Sequence, residues 1–447
     1  PARIPGRPAR ALVAVAAAAA LVVTVSVVLA LQGTPPAGRH GSTSPTSPAA
    51  WRVAGYLDQP AWSDSTATAG PTVSVTCATA TRCYADAPGG TSGGPSGAVV
   101  EATTDGGRTW QALPLPDGSR VTTSLACPAP QQCLVGAAAG STAGSGAPAG
   151  GSPSILATTD GGATWRAQPL PGLAQAVAVA CATTSRCVVA GVAGGTAGSG
   201  QGRPVAASTG DGGGSWSAPV PLPAPFSPSG TDGLACSPDL ACVMVGTTGF
   251  ATTPAGAAAG KGVVLHSGDG GATWAAAEVP SGTAAVRSVA CTGGGRCTAI
   301  ADPPARPPAG TTVTDPYGPA LALSSADGGA TWSAPGSLGL VPATLAAVSC
   351  AAPGTCWAAG SLRTAPATGR STGVVVATAD GGATWATEPL PTRPTAGQRR
   401  ATGLAQLDIQ DVLSVSCPDP GTCVALGFQG SLASPQDRQI VLTQQGG

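Results

Sequence analysis

Thr158-Thr159-Asp160-Gly161-Gly162-Ala163-Thr164-Trp165, with Cys181 sixteen residues after its tryptophan and then Cys187, decides the fold, because both halves of this stretch recur along the chain. The octet returns at 103–110, 209–216, 267–274, 325–332 and 378–385, always as Ser/Thr-x-Asp-Gly-Gly-x-Ser/Thr-Trp. Its aspartates are Asp105, Asp160, Asp211, Asp269, Asp327 and Asp380; its tryptophans are Trp110, Trp165, Trp216, Trp274, Trp332 and Trp385. The 14 cysteines alternate with it as seven pairs, each with five residues between. They are Cys77/Cys83, Cys127/Cys133, Cys181/Cys187, Cys236/Cys242, Cys291/Cys297, Cys350/Cys356 and Cys417/Cys423, about 55 residues from one pair to the next. A fixed period of that length marks a repeat architecture.

Each half has a local physical reading. Val177-Ala178-Val179-Ala180-Cys181 and Cys187-Val188-Val189-Ala190-Gly191 read as two strands joined by a tight turn. Cysteines facing each other across such a hairpin are within disulfide reach, and an even count outside the reducing cytoplasm reads as disulfides. Zinc is the alternative, but the spacing is not a usual ligand spacing, and His40 and His266 are the only histidines. In the octet, a carboxylate that accepts turn N–H groups, a Gly-Gly pair that permits positive φ and a packing tryptophan describe a structural turn. Catalytic or calcium-binding aspartates are the rival reading, and no metal or cofactor is expected.

The octet resembles the Asp-box, or BNR repeat, of sialidase-like, sortilin-like and photosystem assembly-factor-like β-propellers, and the resemblance covers 51–447. Reading one unit gives four strands, here termed A to D from the centre outward: A ends at the first cysteine, B starts at the second, C leads into the octet and D follows its tryptophan. Seven such units predict an all-β, seven-bladed β-propeller of four-stranded blades, a closed form without exposed sheet edges. The last unit ends at Thr443-Gln444-Gln445-Gly446-Gly447, without its tryptophan. Trp62, 15 residues before Cys77, matches the other tryptophan-to-cysteine gaps, which begin at 16. The ring is therefore expected to close through an N-terminal strand near Trp62, at 61–66.

Before the repeats, Arg3, Arg7 and Arg10 lie in a short basic segment, 1–10, ahead of an uncharged apolar run at 11–31. Twenty-one helical residues span roughly 30 Å, one bilayer core. The run reads as a signal-anchor helix with the propeller extracytoplasmic at the cell membrane, or as a cleaved signal peptide of a secreted protein. Residues 32–50 read as a flexible linker. Lys+Arg and Asp+Glu are both 21, so the chain lacks the basic excess of a nucleic-acid binder. Gly and Pro, 66 and 44 residues, approach low-complexity levels, but 43% hydrophobic content and a strict period argue for a packed fold.

Two faces follow from the unit. A–B and C–D turns share one, which carries disulfides and octets. B–C and D–A loops share the other, where binding usually resides. The B–C loops at 86–97, 137–152, 191–203, 247–261 and 301–318 are long, and the connection 386–416 is the longest D–A link. Arg393, Arg399, Arg400, Asp408 and Asp411 make it a candidate binding loop for a protein, peptide or glycan. The resemblance to sialidases implies an arginine triad, a Tyr–Glu nucleophile and an Asp acid/base. The A strands offer only Asp232 and Arg287, while Glu101, Glu278 and Glu388 fall on outer strands and the tyrosines are Tyr56, Tyr84 and Tyr317. The expected function is therefore a membrane-tethered binding or scaffolding propeller without catalytic activity. A divergent exo-sialidase-like glycosidase, with Asp232, Arg287, Arg399, Arg400 and Asp411 gathered on the loop face, is the alternative.

Overall fold

The computed structural model describes residues 50–57, 74–87, 99–116, 119–123, 125–139, 153–194, 202–223, 231–248, 261–304, 318–340, 343–365, 370–394, 396, 399, 406–429 and 438–445. The chain divides into Pro1–Pro48 and Ala49–Gly447, and everything that follows concerns the second unit. The apolar run 11–31, the linker 32–49, Trp62, Arg400 and most of each B–C loop lie outside the described residues.

Seven antiparallel sheets form seven blades. Blade 1 consists of Ser74–Cys77, Cys83–Ala87, Val99–Thr103 and Gln111–Leu113 in that spatial order. Blades 2 to 6 follow along the chain, beginning at Ser119, Gln175, Thr231, Ala285 and Ala343. In blade 2 the A strand is split into Ser119–Val121 and Ala126–Ala129. Each A strand touches the A strand of the next blade, and that of blade 7 touches that of blade 1, so the A strands ring the centre.

Seven disulfides close the seven A–B turns, each within one blade: Cys77–Cys83, Cys127–Cys133, Cys181–Cys187, Cys236–Cys242, Cys291–Cys297, Cys350–Cys356 and Cys417–Cys423. The pairing is the expected one, and the structure adds how deeply the cysteines are buried. The second member of every pair, Cys83, Cys133, Cys187, Cys242, Cys297, Cys356 and Cys423, is at most 2% exposed and belongs to the core. The first members Cys77, Cys181, Cys236, Cys291 and Cys350 keep partial exposure. The reason is position in the sheet. The second cysteine opens the B strand, which has the A and C strands at its sides and neighbouring blades over its faces, whereas the first ends the A strand at the rim.

Blade 7 is assembled from both ends of the unit. Ile409–Asp419, Thr422–Gln429 and Arg438–Gln445 supply three strands, and Arg52–Leu57 pairs antiparallel with Arg438–Gln445 as the fourth. The closing strand is thus N-terminal but is not the stretch near Trp62. Trp51, immediately before it, takes the place of the octet tryptophan. The spacing pointed elsewhere because Trp51 precedes Cys77 by 26 residues, six to ten more than the 16–20 of five other units.

The core explains why one tryptophan is needed per blade. Seven apolar clusters lie between successive blades, and each contains one of seven tryptophans: Trp110, Trp165, Trp216, Trp274, Trp332, Trp385 and Trp51. Trp51 is 3% exposed, and its Nε1 donates to Glu388 Oε2 of blade 6 at 2.6 Å. Gln444 Nε2 donates to the same oxygen at 2.8 Å, so one carboxylate ties both closing strands to the neighbouring blade.

Hydroxyls sew the inner ring. The inner edge of an A strand has no further strand to pair with, and buried N–H groups demand acceptors. Ser414 and Ser416 of blade 7 accept from Val75 and Cys77 N–H of blade 1 at 3.0 and 2.9 Å. Ser349 of blade 6 accepts from Cys417 N–H at 3.0 Å, and Ser288 of blade 5 from Val348 N–H at 3.3 Å. The serines that recur beside the first cysteines are therefore inter-blade ties.

Candidate ligand-binding face

The disulfide face uses its polar groups internally. In the first octet Asp105 Oδ1 accepts from Thr109 N–H at 2.9 Å and from the Thr103 hydroxyl at 2.8 Å, while Oδ2 accepts from the Thr109 hydroxyl at 2.7 Å. The same carboxylate bonds repeat at Asp160, Asp211, Asp269, Asp327 and Asp380. Gly106 and Gly107 hold φ of 72° and 90°, conformations that suit glycine, and Gly106 N–H donates to Thr81 O of the A–B turn at 3.0 Å. Hydrogen bonds from the octet hydroxyls and N–H groups pull the carboxyls of Asp160, Asp211 and Asp380 down to about 2. At Asp105 and Asp269 partial burial works in the opposite direction, and the combined hydrogen bonds outweigh it. Among the described residues, no group of three or more His, Cys, Asp or Glu is arranged to hold a metal ion.

The opposite face is built at the entry to each A strand. There the ladder skips one residue at the same place in blade after blade, four positions before the first cysteine: Val177, Asp232, Arg287, Ala346 and Leu413. Such a bulge re-aims its side chain and is favoured next to binding sites. In this register Asp232 and Arg287 occupy equivalent bulges on adjacent blades 4 and 5. Arg287 is fixed by Asp302 at the end of the B strand of blade 5: its Nε donates to Asp302 Oδ2 at 2.7 Å, and its Nη2 lies 2.7 Å from the same oxygen. Both side chains keep solvent access, 31% and 18%.

Two further carboxyls sit at this end of the ring. Asp86, at the end of the B strand of blade 1, is 1% exposed and accepts from the Ser74 hydroxyl and, at 3.2 Å, from Ser74 N–H. Burial pushes it up to about 7 against those hydrogen bonds. Burial likewise pushes Asp411 up to about 6, opposed by Val412 N–H and the Ser361 hydroxyl of blade 6. Of the long connection, Asp408 accepts from Gln410 Nε2 at 3.3 Å, and Arg393 and Arg399 are exposed.

The sequence-derived set is therefore only partly brought together. Asp232 and Arg287 share a register on neighbouring blades, whereas Asp411 opens the A strand of blade 7, two blades beyond blade 5. Sequence reasoning missed Asp302, Asp86 and Trp51. For Asp302 and Asp86 a signal existed: each ends a B strand, five and three residues after its second cysteine, at the mouth of the ring.

No protein-family model matches the chain, and no curated protein matches it. Solved structures do. YCF48 bound to a D1 peptide superposes with a TM-score of 0.51 and 16% identity over 91% of this chain and 100% of that one. The GH74 xyloglucanase of Xanthomonas campestris gives a TM-score of 0.51 and 15% identity over 86% of this chain and 54% of that one. A sialidase of Trypanosoma rangeli in complex with sialic acid is 16% identical over 88% of this chain and 58% of that one, with a TM-score of 0.40. The chain shares the β-propeller fold of the first two, here with seven blades. These identities establish architecture and leave the chemistry to this chain's own residues.

Proposed function

We propose that the propeller binds a protein, peptide or glycan ligand on the face formed by its B–C and D–A loops, and that it acts as a binding or scaffolding module rather than a hydrolase. The observation that carries this reading is how three carboxyls described on that face are used. Asp302 is committed to Arg287, Asp86 to Ser74 and Asp411 to Ser361, on three different blades. Glycoside hydrolysis needs two carboxyls facing one bond, roughly 5–5.5 Å apart for retention or 6.5–9.5 Å for inversion. A protein of the same fold is known bound to a peptide. In this reading the run 11–31 holds the propeller at the outer side of a membrane, or is cleaved to release it.

Arg287 and Asp302 are the centre of the proposed face, with Arg393, Arg399 and Asp408 as its outer wall. The test pairs binding with turnover. A peptide and glycan array probed with the wild type and with Arg287→Glu is expected to show a ligand set that the variant loses. Sialoside and xyloglucan substrates are expected to remain intact on prolonged incubation. Hydrolysis abolished by Asp232→Asn or Asp411→Asn would replace this reading with the divergent glycosidase, whose support is the fold shared with the xyloglucanase.

A further inference from the structure

The blades repeat, so each interface is a control for the other six, and one interface on the disulfide face differs. The residue after the second cysteine projects toward the next blade at every interface: Tyr84, Leu134, Val188, Val243, Thr298 (3.6 Å from Cys356 Sγ), Trp357 and Val424. At five of the six octets, atoms of the preceding blade fill the space beside the two glycines. Leu134 lies against Gly213, Val188 against Gly271 and Val243 against Gly329. At Gly381 and Gly382 of blade 6 only atoms of blade 6 itself come close. Between blades 5 and 6, at that position, the surface opens into a cleft of about 470 Å³ lined by Arg296, Thr298, Ser324, Trp332, Asp380 and Gly381.

The equivalent place between blades 1 and 2 shows what fits. There Tyr84, fully buried, donates its hydroxyl to Pro130 O at 2.7 Å. Arg82, the residue before the second cysteine, lies over the Tyr84 ring at 5.0 Å from its centroid and donates through Nη2 to Gly161 O at 2.7 Å. Between blades 5 and 6 the framework of that arrangement recurs without its phenol. Arg296 stands at the position of Arg82, Pro353 at that of Pro130 and Gly381 at that of Gly161, while Thr298 replaces Tyr84. Arg296 is exposed and lines the cleft.

We propose that the blade 5–6 cleft is a receptor for a tyrosine side chain of a partner polypeptide. The inserted ring takes the position that Tyr84 holds in blade 1, under the Arg296 guanidinium, with its hydroxyl donating to Pro353 O. Cation–π attraction to an arginine adds to ring burial, and the hydroxyl bond supplies selectivity over phenylalanine. This site lies on the face opposite the one proposed above, so the two readings stand or fall separately.

The test uses the full chain with its disulfides intact, and N-acetyl-L-tyrosinamide as probe with N-acetyl-L-phenylalaninamide as control, titrated by ligand-observed NMR. Saturable binding of the tyrosine probe is expected, tighter than the phenylalanine control by about two- to tenfold, the worth of one net hydrogen bond. Arg296→Ala, at an exposed position, is expected to keep the wild-type melting temperature and weaken the probe about two- to fivefold. Thr298→Tyr is expected to fill the cleft from within, abolish probe binding and raise the melting temperature. Equal affinity for the two probes, no saturable binding, or undiminished binding in Thr298→Tyr overturns the proposal. If Thr298→Tyr fails to fold, the Arg296→Ala titration decides, and an unchanged affinity there overturns it.

Discussion

The two ends of each blade obey different rules. At the disulfide end every carboxylate of the six octets is bonded within its own turn and stays ionised down to about pH 2 at Asp160, Asp211 and Asp380. At the loop end the buried Asp86 and the half-buried Asp411 are pushed up to about 7 and about 6. The same residue type is thus driven in opposite directions within a single blade length. Where turn N–H groups and hydroxyls converge on the charge, the ionised form wins; where burial outweighs one or two hydrogen bonds, the protonated form wins. One end is a repeated fastening, and the other is a set of individual environments.

The largest expected effect tests the fastening where it lacks an octet. Trp51→Ala removes a buried indole at the closing seam and is expected to cost about 3–5 kcal/mol, the usual range for a core Trp→Ala change. Chemical denaturation of wild type and variant, both oxidised, measures it. A loss below about 1 kcal/mol, the range of surface changes, would mean that Trp51 is not the seventh blade's tryptophan.

Protonation separates the two ends next. A buried carboxyl with a raised pKa contributes stability that is fully present below its unfolded value, near 4, and is lost as pH rises through its folded value. For Asp86 the window is therefore about pH 4 to 7, with a ceiling of about 4 kcal/mol for a three-unit shift. The octet aspartates act with the reverse sign, contributing stability above about pH 4 that is lost as pH falls toward 2. Stability is expected to peak near pH 4, where the two limbs meet, and Asp86→Asn is expected to make the limb above it shallower, leaving the share of Asp411, with the acid limb unchanged. Melting curves across pH 3 to 9 check both limbs.

Smaller effects follow. Asp269→Ala leaves Thr273 N–H and two hydroxyls without their acceptor in a partly exposed turn, and is expected to cost about 1–2 kcal/mol. Replacing Cys291 and Cys297 together by serine opens a short loop and is expected to cost less than the ~3 kcal/mol of a 15-residue loop. Arg287→Gln breaks a half-exposed ion pair and is expected to change stability by less than about 1 kcal/mol while altering ligand binding. A large stability loss in that variant would make Arg287 part of the fastening instead.

Turn chemistry made the fold legible, because Asp-Gly-Gly and paired cysteines dictate local backbone and recur at a fixed period. Closure was legible in kind and wrong in place. The tryptophan-to-cysteine gap counts residues along the D–A link, and that link is free to vary; Trp51 precedes the closing strand, whereas position 62 falls between that strand and the next. On the loop face Asp232 and Arg287 stood out as the charges of the A strands, yet their shared bulge register became visible only from the ladder pairing. Asp302 was visible only as a B-strand end, since its ion pair with a strand entry 15 residues away follows from pairing rather than from a motif. The blade 5–6 cleft was the least legible feature. Thr298 has the size of the valines at neighbouring interfaces, so its residue type alone does not mark the gap.

The position of the disulfides has a mechanical consequence. All seven join residues six positions apart, so none crosses from one blade to another and none spans the seam between Arg52–Leu57 and Arg438–Gln445. Tension applied at the Ala50 end therefore meets no covalent brace before it reaches that seam. It loads first the Trp51–Glu388 bond, and then the strand pair that begins with Arg52 and Thr443. Each blade is riveted internally while the hoop is held by a clasp, so a pull that opens the ring leaves every rivet in place and the clasp free to close again.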